Sequence, residues 1–358
     1  MRKTFHPQII LAMLAVILLA FSVASSQQPE KVKLITSTGI ESFVRDLNDN
    51  GKLGYRLEKS LNYGGEGVTQ RFAAVLRLDA ANKYEYDWMS SPDKKLLEGR
   101  LNSQAKKGFN FANAYALTYC SEPVDDDANP SETLVLRLQK GDAFLLERSN
   151  GKPDQTREYK VIHAKVRLGD SAEKDIQAAL DAAAPQGFRP LKILFARYGL
   201  LDFTVSVLTE KNLTDANAAK SEFRFLKKSS GLPEHINKWA AQGFRFLTGR
   251  RIGTIGMVLM DKRASDGTNY TMIDRKKYAK EFDKTIAQGH SYSAVMLGDL
   301  TCGSTEAGNE RLVFEQNSTG KQREYKIASS DEFQRLISDG YQVRDLFYSG
   351  GLMVIFEK

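Results

Sequence analysis

Residues 323–358 read REYKIASSDEFQRLISDGYQVRDLFYSGGLMVIFEK. The stretch opens on Glu324-Tyr325-Lys326-Ile327 and passes through a short segment with helical spacing that ends at Gly340-Tyr341. It closes on two apolar runs split by Gly350-Gly351. That is strand, helix, strand, strand in one compact segment, and the plan recurs toward the N-terminus.

A glycine followed by an aromatic residue marks each recurrence: Gly54-Tyr55, Gly108-Phe109, Gly187-Phe188, Gly243-Phe244 and Gly340-Tyr341, with Gly289-His290 carrying its aromatic at Tyr292. Seven residues before each glycine stands Leu47, Leu101, Leu180, Ile236, Phe282 or Phe333. Eleven before, Phe43, Leu97, Ile176, Leu232 and Tyr278 continue the series. Spacings of four and seven put these side chains on one helix face that needs a cover. Thr38 with Glu41 and Ser329 with Glu332 have capping-box spacing. Ser91-Pro92 and Pro233 suit helix starts, and the glycine supplies the left-handed residue that closes a helix. After it the apolar period changes to two, as in Tyr55 and Leu57 or Phe244 and Phe246, which predicts a strand with one buried face.

Closing strands are expected at 73–78, 134–138, 203–208, 257–260, 311–314 and 352–356, with an extra hairpin partner for unit two at 143–146. The expected fold class is α+β: six tandem β-α-β-β units with shared antiparallel sheets, arranged as two pseudo-repeated halves. Unit three begins Arg157-Glu158-Tyr159-Lys160-Val161 and unit six Arg323-Glu324-Tyr325-Lys326-Ile327. Cys120 and Cys302 stand at equivalent places in units two and five. The order one-two-three is therefore echoed by four-five-six, which predicts halves at 27–214 and 215–358 from duplication of a three-unit ancestor. Units this small bury too little to stand alone and must share their cores or sheets.

Unit three, with Glu158-Tyr159-Lys160-Val161, a helix over about 171–185, Gly187-Phe188 and the strand 203–208, resembles a small bacterial β-α-β-β domain family of unknown function. Its members read Tyr-Glu-Tyr-Lys-Val, then a helix, then glycine-aromatic and a terminal apolar strand. Unit six is similar to it also. The resemblance implies the fold and no catalytic residue.

Arg2 and Lys3, the apolar run 9–23 and the small residues around Ala24 form a signal-peptide pattern over 1–26. The run is short of the ~20 residues that span a bilayer, so the expected product is periplasmic or secreted, without a transmembrane segment. Net charge is +7, and +5 without Arg2 and Lys3 (49 − 44); this is too dilute for nucleic acid. Cys120 and Cys302 have two open readings, a disulfide or two separate buried thiols.

Asp46, Asn48, Asn50 and Gly51 match the opening of a calcium loop, but Leu57 stands where its glutamate belongs. Asp125, Asp127 and Asn129 share the spacing with Pro130 in place of the glycine. No nucleophile elbow, zinc helix or phosphate loop occurs. His163, His235 and His290 fall at unrelated repeat positions, and Trp88 and Trp239 read as core. The sequence thus points to an exported, non-catalytic binding or scaffolding protein with no cofactor, no metal site and a protein or glycan partner. The alternative is an envelope-associated enzyme or enzyme subunit with its site between the two halves.

Overall fold

The structure is a computed structural model that describes residues 30–63, 69–90, 94–119, 139–150, 156–166, 172–197, 203–214, 221–252, 254–263, 268–300, 307–308, 310–316 and 323–358. Unit one comprises β1 (Val32–Thr38), α1 (Ile40–Gly51), β2 (Tyr55–Tyr63) and β3 (Arg71–Leu78). Unit two comprises β4 (Tyr84–Ser90), α2 (Lys94–Ala105), β5 (Asn110–Tyr119) and β6 (Gln139–Ser149). Unit three holds β7 (Arg157–Val166), α3 (Ala172–Ala183), β8 (Phe188–Arg197) and β9 (Phe203–Asn212). Unit four holds β10 (Phe223–Lys228), α4 (Leu232–Ala240), β11 (Phe244–Ile252) and β12 (Ile255–Lys262). Unit five runs β13 (Tyr270–Asp274), α5 (Tyr278–Ala287), β14 (His290–Met296), a small ladder of β15 (Asp299–Leu300) with β16 (Ala307–Gly308), and β17 (Arg311–Gln316). Unit six runs β18 (Tyr325–Ser329), α6 (Phe333–Ser338), β19 (Gln342–Tyr348) and β20 (Leu352–Glu357).

The chain is thus α+β with repeated units, each contributing one three-stranded antiparallel sheet. The units are not uniform: 3-10 turns extend the helices of units three, five and six, and among the described residues only unit five carries the extra ladder. All six repeat glycines have φ between +83° and +91°, so the marker seen in the sequence is the left-handed helix-closing residue. At Gly54 a side chain would also meet the Asp79 carbonyl at 2.9 Å.

Three details differ from the sequence expectation. Sheets are not shared between units: each has the order first-third-second and stops there, because the third strand satisfies both neighbours and leaves edges that are covered by other means. Ala143–Leu146 is no additional hairpin partner but part of β6, the central strand of unit two, while 134–138 lies outside the described residues. The capping boxes do not form. Gly39 caps α1 with no side-chain bond, Thr38 having been drawn into the β1 ladder, and Ser329 makes no cap bond either.

Cores are what the units share. Phe72, Ala74 and Leu76 face a cluster with Tyr86, Tyr115 and Leu145 of unit two, while Ala73 and Val75 of the same strand face Leu346 and Val354 of unit six. The pattern repeats for units two and three, three and four, four and five, and five and six. Each sheet therefore has both faces buried, which is why the central strands read as continuous apolar runs such as Phe72–Leu76, Met257–Met260 and Leu352–Phe356. The second strands of successive units touch all the way round, β19 against β2 included. The result is a closed, propeller-like ring of six blades around an axis.

Candidate functional site: the axial cavity

Every second strand carries a β-bulge at one repeat position. The register slips between Leu57 and Lys59, Phe111 and Asn113, Pro190 and Lys192, Phe246 and Thr248, Tyr292 and Ala294, and Val343 and Asp345. Counted from the repeat glycine these are positions three and five each time. A bulge breaks the alternation of faces and re-aims side chains. Here it turns positions four and five toward the axis, where all twelve line one cavity of about 1090 Å³.

The lining is mainly polar. Position five supplies Lys59, Asn113, Lys192, Thr248, Ala294 and Asp345 in ring order, and position four adds Glu58, Ser293 and Arg344 beside three apolar residues. Lys192 is partly buried and its ammonium donates to Asn113 Oδ1 at 2.6 Å. Asn113 Nδ2 donates to Ser60 Oγ at 2.9 Å, and the Tyr115 hydroxyl donates to the same oxygen at 2.7 Å. Burial pulls the Lys192 amine down to about 8, with Arg250 pushing the same way and Asp142 and Asp345 opposing. Across the axis Tyr292 donates to Asp345 Oδ2 at 2.8 Å, and burial with that carboxylate holds the phenol well above its usual range. Arg250 lies 3.9 Å from the buried Asp142. A small adjoining hollow brings Lys192, Arg250 and the buried Glu310 together.

The residues singled out in the sequence lie elsewhere. Cys120, Cys302 and the 125–129 loop are outside the described residues. Asp46 to Gly51 is the last part of α1: Asp46 accepts from Ser37 Oγ at 2.6 Å, and Asn48 is engaged with Tyr86. Among the described residues no group of three or more His, Cys, Asp or Glu side chains is placed to hold a metal. His163 Nδ1 lies 2.8 Å from Ser206 Oγ and His290 Nε2 3.4 Å from Thr271 Oγ1; neither they nor His235 line the cavity. Trp239 packs edge-on against Phe244 at 5.4 Å, and Trp88 against the core of units one and two. The axial residues escaped the sequence reading. Their only linear signal is the slip in period two at the fourth residue after each glycine.

Two further columns do work at the seams. Six residues before the repeat glycine, Asn48, Asn102 and Asn237 each reach the first strand of the next unit. Asn102 Nδ2 donates to the Tyr159 carbonyl at 2.9 Å while Tyr159 N–H donates to Asn102 Oδ1 at 2.8 Å. Asn48 does the same with Tyr86 and Asn237 with Tyr270. The tyrosines so held then accept from the second strand behind them: Leu57, Phe111 and Phe246 N–H donate to the hydroxyls of Tyr86, Tyr159 and Tyr270 at 2.7–3.0 Å. No protein family, curated protein or solved structure matches the chain. Among the described residues no helix is long and apolar enough to cross a membrane.

Proposed function

We propose that this is an exported binding or scaffolding protein whose ring holds a small, carboxylate-bearing polar solute on its axis. One observation carries the reading: six bulges aim their side chains into one cavity of about 1090 Å³ where the Lys192 ammonium, one of two with Lys59, has a neutral amide as its hydrogen-bond partner. An amine so placed has a donor to spare for a carboxylate, and Asp345, each of whose oxygens accepts one bond, keeps lone pairs for an ammonium or hydroxyls on the same solute. The test is thermal unfolding of the mature protein against amino acids and hydroxy acids. A ligand that raises Tm for the wild type and has no effect on Lys192→Met is expected. An equal shift in both proteins would place the ligand elsewhere.

The enzyme reading draws on the same residue. The cavity takes Lys192 from unit three and Asp345 from unit six, and an amine brought down to about 8 is a usable nucleophile toward a carbonyl. Borohydride trapping of an aldehyde on Lys192 would favour it over simple binding.

The remaining sequence expectations belong to this proposal. They are removal of residues 1–26 on export, β-α-β-β units of the resembled family, a three-unit duplication at about 214/215, a protein or glycan partner, and a Cys120–Cys302 bond. N-terminal sequencing of the exported protein and a free-thiol count address the first and last; two free thiols would end the disulfide.

A further inference from the structure

Five seams of the ring are bridged by a side-chain amide from one unit's helix to the next unit's first strand. Asn48, Asn102 and Asn237 serve three of them. Unit three has Asp181 at that place, and Gln177, one turn earlier, bridges instead to the Phe223 carbonyl (2.9 Å) and Phe225 N–H (2.9 Å). In unit six Gln334 reaches the Val32 carbonyl at 3.5 Å and Glu30 at 3.2 Å. The seam between units five and six differs. Its residue is Asp283, and the position one turn earlier is Ala279, which has no polar group to substitute.

Three observations meet at that seam. Glu324 exchanges both backbone bonds with Lys358, so by the alternation of an antiparallel edge Tyr325 turns its N–H and C=O outward, and no described residue bonds to them. Tyr325 is more than nine-tenths buried, yet its hydroxyl makes no bond to the second strand behind it as Tyr86, Tyr159 and Tyr270 do; its polar neighbours are Ser291 and Arg323. Two hollows of about 440 and 490 Å³ adjoin there and share Asp283 and Tyr325.

The chemistry of the gap is acceptor-rich. Asp283 has no ion-pair partner among the described residues, and the Tyr325 carbonyl is open beside the rings of Tyr278 and Phe282. The three cations at the rim are engaged: Arg335 pairs with Glu332 and with Asp339 at 3.4 Å, Lys326 pairs with Glu324 at 3.6 Å over the Tyr341 ring, and Arg323 pairs with Glu357. A carboxylate, a carbonyl and aromatic faces together suit a planar cation with several donors.

We propose that the seam between units five and six is a binding site for an arginine side chain carried on an extended segment of a protein partner, with Asp283 as its anchor and the Tyr325 carbonyl as the second acceptor. The guanidinium replaces the amide that bridges the other seams. The site lies at the rim of the ring and is separate from the axial cavity, so it stands or falls independently of the reading above.

The test uses the mature protein and fluorescein-labelled pentapeptides Ala-Ala-Arg-Ala-Ala and Ala-Ala-Gln-Ala-Ala in fluorescence anisotropy. The arginine peptide is expected to bind at least about tenfold more tightly, as loss of one charge-assisted contact implies. Asp283→Asn is expected to remove that preference and to raise Tm by about 1–3 °C, because asparagine completes the bridge to Tyr325 as Asn102 does to Tyr159. A rise in Tm with loss of binding separates site closure from misfolding. Equal affinity for the two peptides, no binding of either, or unchanged arginine preference in Asp283→Asn would each overturn the proposal.

Discussion

Glu310 shows what a single residue contributes here. It sits just before β17, 2% exposed, beside the Arg275 guanidinium, whose Nη1 donates to the Tyr348 carbonyl at 2.6 Å. Burial pushes its carboxyl from 4.5 up to about 8, against the opposing pull of Arg275 and with Asp345 adding repulsion. The folded protein therefore keeps a proton that the unfolded chain releases. The resulting stabilisation is full below pH 4.5 and is lost as pH rises through about 8. Glu310→Gln should remove that dependence. Between pH 5 and pH 8 the wild type should lose roughly 1–3 kcal/mol more than the variant, read from urea midpoints, given ~1.4 kcal/mol per pKa unit and discounting for relaxation. Parallel losses in the two proteins would refute the assignment. Residues of this kind were not legible in sequence, because nothing linear distinguishes a glutamate that closes a seam from one on a loop. The Glu-Tyr-Lys echo was legible, but its tyrosine turned out to act on another unit: Tyr159 reaches Phe111 N–H across the seam.

At the scale of elements, the helices of units one, two and four each do two jobs that the sequence separates by one residue. Position seven before the glycine (Leu47, Leu101, Ile236) is buried in the core, and position six (Asn48, Asn102, Asn237) turns to the neighbouring strand. The apolar column was readable from spacing alone. The amide column was not, since an asparagine near a helix end reads as an ordinary surface or capping residue. Asn102→Ala should leave the N–H and C=O of Tyr159 unsatisfied in a part-buried seam and cost about 2–3 kcal/mol. Chemical denaturation would show it as a lower midpoint with unchanged slope. A cost under about 0.5 kcal/mol would mean that water replaces the bridge. The bulges belong to this scale too: one extra residue per second strand, in register six times, converts a strand edge into the wall of a cavity.

For the whole molecule, closure is the controlling fact. Unit one meets unit six through Val32, Leu61 and Tyr63 against Leu346, Val354 and Phe356, with Tyr63 stacked on Tyr348 at 5.6 Å. This seam lacks the tyrosine-to-backbone bond found at the seams one-two, two-three and four-five, and it joins segments almost the full chain apart. A ring has no preferred starting point, so a permuted chain of 221–358 followed by 30–214 should fold to the same ring. A two-residue joint between Lys358 and Glu30 gives β20 and β1 a five-residue link, the length of Asp79–Lys83 between β3 and β4. Circular dichroism and thermal unfolding should place its Tm within a few degrees of the original. A molten or aggregated permutant would show that the 6–1 seam is not equivalent to the others.

The sequence by itself determined the number of units, their helix faces, the left-handed glycine that ends each helix and the apolar central strands. All of these depend on local periodicity and on backbone conformation. It did not determine that the sheets would remain separate, that both faces of each would be buried, or that the last unit would close on the first. Those outcomes depend on which surfaces meet, and the apolar face of one unit is a suitable cover for any other. The axial cavity was also decided there. Lys192 and Asp345 lie more than 150 positions apart in the chain, and only a closed ring brings them to a common axis.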